Sequence, residues 1–298
     1  MLRFLTLCLG LLLSSAAGAE VRMQNVIGSE VLGRPVGYSL YLPPGYGTDK
    51  RDYPVVWLLH GGGTGQPSDW FTLAGIDQML DALIASGTIR PLIAIAPDGR
   101  RDEANEIATY FLDDADGQVR WQTMFLTEMI PALEARYPAI ATGEARAILG
   151  ISMGGLAGIV HHLRNPGMFA GVAALSPAFR TDAQLLSLSD DAYRTRYAGV
   201  LGADLSADAR LTRTWSDLSP DALIATASPT RIPRILIDLG ADDPFLEGAT
   251  EMHLASRSSG LPGIFRVRPG GHDWPFWREA LPDALIHLDA LLTRGYGE

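Results

Sequence analysis

The stretch ILGISMGGLAG, Ile148 to Gly158, sets one serine among four glycines directly after an apolar run. ARAIL before it reads as a strand and GLAGIVHHL after it as a helix, so Gly150-Ile151-Ser152-Met153-Gly154 is a sharp strand-to-helix turn. Strand and helix can come that close only where side chains are nearly absent. The same alternation runs along the chain. VRMQNVIG and PVGYSLYLP read as an antiparallel opening pair. YPVVWLLH, PLIAIAP, FAGVAALSP, RILIDLG and GIFRVRPG are short strand-like segments. Helical spacing falls in TMFLTEMIPALEARY, with Pro131 as an interruption, and near residues 248–258 and 275–292. Short buried runs alternating with helices predict an α/β fold, a mostly parallel central sheet with helices on both faces.

Between residues 180 and 231 periodicity is weak and turn residues are many. This segment is either a cap over the sheet or a set of ordinary surface helices. No repeat, linker or internal boundary interrupts residues 20–298, which read as a single domain. A formal charge of −10 disfavours a nucleic-acid partner, because phosphate-backbone binding relies on clustered Lys and Arg.

Residues 1–19 have the form of a secretory signal. Arg3 precedes an apolar run from Phe4 to Leu13, and Ala17-Gly18-Ala19 is a small-residue cleavage site, placing the cut near Ala19-Glu20. The run is short for a bilayer span, so no stable membrane anchor is expected after cleavage. The expected location is secreted or periplasmic. Cys8, the one cysteine, leaves with the signal, so the mature chain has no disulfide, thiol nucleophile or thiolate metal site.

The turn at Ser152 also suits chemistry. A serine on such a turn projects its hydroxyl above the sheet, and the Met153 N–H at the helix start is free to hold a developing oxyanion. A nucleophilic serine needs a base, and the base an orienting acid. Asp242 and Asp243 lie just past the end of RILIDLG, and His272 follows GIFRVRPG after a glycine pair. Ser152, the aspartate pair and His272 thus all fall at C-terminal ends of strands, where open parallel sheets gather their active sites. His60-Gly61-Gly62-Gly63 lies in the loop expected to supply a second oxyanion donor. No G-K-[ST] follows that loop, which disfavours a phosphate cradle. His161 and His162 are adjacent on a helix and point apart, so they make no metal pair. His253 and His287 read as surface or packing residues.

VVWLLHGGG, PLIAIAPDG, RAILGISMGG, VAALSPAF, IDLGADDPFLEG and GGHDWPFWREAL together resemble the family called "putative esterase", within the α/β-hydrolase fold. That family includes S-formylglutathione hydrolases, feruloyl and acetylxylan esterases and mycolyltransferases. The resemblance runs from about Tyr53 to Leu281. It implies Ser152 as nucleophile, His272 as base, Asp243 rather than Asp242 as the acid, and an oxyanion hole made by the N–H groups of Gly62 and Met153. It implies no metal or organic cofactor.

The expected activity is hydrolysis of a small-molecule or saccharide ester through an acyl-serine. The alternatives are an acyltransferase with the same triad, or a catalytically silent binding module. Trp70, shortly after the glycine loop, and Trp274, two residues past His272, are candidate pocket walls; Trp277 reads as a core residue. The sequence carries no signal for oligomeric state.

Overall fold

A computed structural model describes residues 18–292 apart from Asp49, Leu261 and Pro262; the expected signal segment lies outside the described residues up to residue 17. The strands are β1 (Glu20–Ser29), β2 (Arg34–Leu42), β3 (Val55–Leu59), β4 (Ile93–Pro97), β5 (Arg146–Ile151), β6 (Gly171–Leu175), β7 (Ile235–Gly240) and β8 (Ile264–Arg268). They form one sheet in the order β1-β2-β4-β3-β5-β6-β7-β8. The β1–β2 and β2–β4 pairs are antiparallel, and β4-β3-β5-β6-β7-β8 are parallel. Every residue of β3 to β7 is buried, which is why these strands read as continuous apolar runs rather than alternating ones. β8 closes the edge and is half-exposed.

The helices are α1 (Asp69–Thr72), α2 (Ile76–Ala85), α3 (Trp121–Met124), α4 (Ile130–Arg136), α5 (Met153–Arg164), α6 (Asp182–Leu186), α7 (Asp190–Leu201), α8 (Arg213–Asp217), α9 (Pro220–Thr226), α10 (Leu246–Ser258) and α11 (Trp274–Leu291). One face of the sheet is packed by residues of α3, α4, α5 and α10, with Trp57, Trp121 and Phe125 at its centre. The other face is packed by α1, α2 and α11, around Leu58, Ile76, Leu80 and Leu281. The interruption expected at Pro131 takes the form of a π-helical turn, Phe125–Met129, joining α3 to α4. A wide turn there accommodates a residue that has no N–H to give.

Residues 180–231 resolve into α6 to α9. Each begins with a side-chain cap: Thr181, Ser189, Thr212 and Ser219 accept from the backbone N–H of Gln184, Ala192, Trp215 and Ala222 respectively. Capping, rather than an apolar stripe, marks these short helices in the sequence. Thr195 and Arg196 of α7 reach the hollow beside Ser152, so the segment walls one side of the sheet's C-terminal end.

Candidate active site

β5 delivers Ser152 into a conformation that an L residue adopts only under constraint, φ 54° and ψ −113°. Two glycines make the approach possible. A Cβ on Gly150 would sit 2.1 Å from the Gly154 carbonyl oxygen, and one on Gly154 would sit 2.2 Å from that of Leu59. α5 therefore starts almost in contact with β3, and Met153 at its first position has no partner for its N–H within the helix.

Ser152 Oγ lies 3.0 Å from His272 Nε2, and His272 Nδ1 lies 2.9 Å from Asp243 Oδ2. His272 is partly exposed, while Asp243 is buried. Burial alone would raise the Asp243 carboxyl. Hydrogen bonds from His272, the Ser176 hydroxyl and the Phe245 N–H (2.8 Å) outweigh it and hold the carboxyl below its ordinary value. Asp243 thus stays ionised and fixes the histidine proton on Nδ1, leaving Nε2 free to accept from the serine. Asp242, its neighbour, is exposed.

The glycine loop after β3 folds over the same point. A Cβ built on Gly61 would be 3.7 Å from Ser152 Cβ, and one on Gly62 would be 3.6 Å from Met153 Cβ. His60 holds this loop. The Gly99 N–H donates to His60 Nε2 (2.9 Å), so the ring proton sits on Nδ1, which faces the Gly61 carbonyl (2.7 Å). Burial pushes the His60 pKa down and keeps the ring neutral. The sequence puts His60 beside the glycines without marking its role; the signal for that role is its position at the end of a fully buried strand.

Ser176 was missed. It follows β6 at φ 49°, fully buried, and its hydroxyl accepts from Trp277 Nε1 at 3.0 Å while also bonding Asp243. Trp277 stands edge-on to His272, ring centroids 5.0 Å apart, so the expected core residue also packs against the histidine.

Neither tryptophan expected as a pocket wall is among the residues lining the hollow beside the serine. Trp70 is fully buried in the layer beneath the sheet, with α1 and α2. Nearness to the loop in sequence did not carry its side chain to the loop's upper side. Trp274 packs edge-on against Trp277, 5.1 Å between centroids. The hollow beside the serine, of about 460 Å³, is lined instead by Gly62, Tyr110, Arg180, Arg196, Phe245 and His272, among others. Tyr110 reaches it from a loop in which Tyr110 and Phe111 both have positive φ, 51° and 53°. A second hollow of about 560 Å³ adjoins it, sharing Tyr110 and Arg180 and lined by Phe179, Tyr197 and Trp215.

A mostly parallel sheet with a strained serine after β5, an aspartate after β7 and a histidine after β8 defines an α/β-hydrolase. The chain belongs to the family described as "Putative esterase", whose model matches residues 29–288. It is 27% identical over 282 residues to Esterase Rv1288 of Mycobacterium tuberculosis, covering 89% of this chain and 58% of that protein. The chain thus spans little more than half the length of that relative. It is 25% identical over 245 residues to an acetyl esterase of Caldicellulosiruptor saccharolyticus, covering 79% and 83% of the two chains. A solved ferulic acid esterase superposes with a TM-score of 0.75 at 28% identity, covering 93% of this chain and 100% of the other.

Proposed function

We propose that the protein is a carboxylic ester hydrolase working through an acyl-serine. The observation that carries this reading is the continuous hydrogen-bonded line from Ser152 Oγ through His272 to Asp243, beside a substrate-sized hollow. His272 Nε2 takes the serine proton as Oγ attacks the ester carbonyl. The N–H groups of Gly62 and Met153 hold the oxyanion; a comparable donor in another serine hydrolase contributes roughly 10²–10³ in rate. The histidinium, stabilised by Asp243, then protonates the departing alcohol. Water, deprotonated by the same histidine, cleaves the acyl-serine and frees the acid. The esterase relatives support this reaction class, and a small-molecule ester fits the size of the hollow.

The test is a panel of acetyl, feruloyl and short alkyl esters, with Ser152→Ala as control. Turnover by the wild-type protein and its near-complete loss in a folded Ser152→Ala protein are expected. Equal turnover by the two would overturn the reading.

The reading includes export and a single hydrolase domain over residues 20–298. The leader pattern at 1–19 supports export, and β1 begins at Glu20. Sequencing the N-terminus of protein recovered outside the cytoplasm should give Glu20 first. Recovery only from the cytoplasm, with residues 1–19 intact, would contradict it.

A further inference from the structure

Arg180, just past β6, and Arg196, on α7, both line the hollow that holds Ser152 and His272. In a chain of formal charge −10 this is a local inversion of sign. Neither guanidinium forms an ion pair with a carboxylate among the described residues. The Nε of Arg180 is enclosed and has no hydrogen-bond partner. Its guanidinium carbon lies 4.7 Å from the centroid of the Phe245 ring, and that ring stands edge-on to His272 at 5.0 Å. Stacking on Phe245 thus fixes the guanidinium one ring away from the base. An enclosed donor without an acceptor costs free energy that a bound acceptor would return.

Charges around the two hollows are sorted. Burial pushes the Tyr110 phenol well up, and both Arg180 and Arg196 act against that shift, so both cations stand near the same ring. Glu106 also lines the first hollow, but its carboxylate is largely exposed and lies 3.9 Å from Arg194. The second hollow, across Tyr110 and Arg180, carries Asp182, Asp221 and Glu251. Asp182 there accepts from Trp215 Nε1 at 2.7 Å. Burial, with repulsion from Asp182, Asp221 and Glu247, raises the Glu251 carboxyl. Arg180 serves both hollows, but Arg196 lies only on the serine side and the three carboxylates only on the far side, so an anion is favoured on the serine side.

We propose that the preferred substrate is an ester carrying a free carboxylate elsewhere in the molecule, held by Arg180 and Arg196 while Ser152 attacks the ester carbonyl. The planar guanidinium fork matches a carboxylate. This rests on the ester-hydrolase reading and names its substrate class. The carboxylate takes no part in the bond changes: the acyl–oxygen bond of the ester breaks, the acyl-serine forms, and water releases the acid.

Two matched pairs test the proposal by kcat/KM. Mono-4-nitrophenyl glutarate against 4-nitrophenyl pentanoate puts the charge on the acyl side. 4-Acetoxybenzoate against methyl 4-acetoxybenzoate puts it on the alcohol side. Wild type should favour the anionic member of at least one pair by about tenfold or more, as expected for a charge-assisted contact. Arg180→Gln and Arg196→Gln should each bring that ratio towards one, Arg180→Lys should keep most of it, and about 0.5 M salt should shrink it. Arg196 is exposed, so its variant keeps the test decisive if Arg180→Gln folds poorly. Hydrolysis of the neutral esters with no anionic preference, or a preference that survives both glutamine variants, overturns the carboxylate proposal alone. Hydrolysis of neither pair overturns the ester-hydrolase reading, and this proposal with it.

Discussion

Ser152 holds a backbone conformation that costs on the order of 1–3 kcal/mol, so its surroundings must over-determine it. They do: its N–H donates to the Leu175 carbonyl (2.9 Å), and its carbonyl accepts from Leu156 and Ala178 (3.0 Å each). Gly154 is the most exacting neighbour, because its missing Cβ would collide with the backbone of β3. Gly154→Ala should lower stability by roughly 1–3 kcal/mol or more and displace the serine, with most esterase activity lost. A thermal melt and an ester assay check this; wild-type values in both would mean that α5 shifts freely. Ser176→Ala removes the acceptor of a buried indole N–H and one donor to Asp243. It should cost about 1–3 kcal/mol and lower kcat, while a variant with unchanged melting and kcat would show that the hydroxyl holds neither partner.

At the scale of elements, the π-turn before α4 presents Glu128 to the β1–β2 hairpin. Its carboxylate accepts from the Ser29 hydroxyl (2.5 Å) and from the N–H groups of Glu30 (3.1 Å) and Val31 (3.0 Å). Glu128→Ala should therefore destabilise the hairpin by about 1–3 kcal/mol, visible as faster hydrogen exchange at residues 29–32. Unchanged exchange there would remove the clamp from the account. Strands such as β3 and β5 were legible in the sequence because burial on both faces leaves an unbroken apolar run. The elbow was legible because its glycines are forced by backbone contact, and the preceding strands placed His272 and the pair Asp242-Asp243, between which only the family resemblance chose Asp243. The loop carrying Tyr110 and Phe111 was not. Its shape comes from distant partners, such as the Arg101–Asp114 ion pair and the Thr109 hydroxyl bonded to the Gly99 carbonyl, rather than from a local pattern. Trp70 lies on the far face for a related reason: sequence distance from the glycine loop says nothing about which face of the sheet a helix covers.

For the whole molecule, two buried histidines set a pH window. His60 and His161 are fully enclosed, and burial lowers both, His161 to about 4 from an ordinary 6.5. Their folded pKa values are depressed, so the unfolded chain takes up protons that the fold refuses. The contribution of each is full above pH 6.5 and falls as pH drops below it; for His161 the loss runs down to about pH 4, at up to roughly 1.4 kcal/mol per unit. Urea midpoints should drop across that window, and His161→Gln should flatten the drop by about one proton. An identical slope in the variant would contradict the assignment.

The central claim is that Ser152 is the nucleophile. Intact-protein and peptide mass spectrometry after fluorophosphonate treatment tests it most directly. The account predicts one adduct, on the peptide containing Ser152, formed rapidly by the wild type and far more slowly by His272→Ala. An adduct on another serine, or none under conditions where ester turnover proceeds, would contradict it.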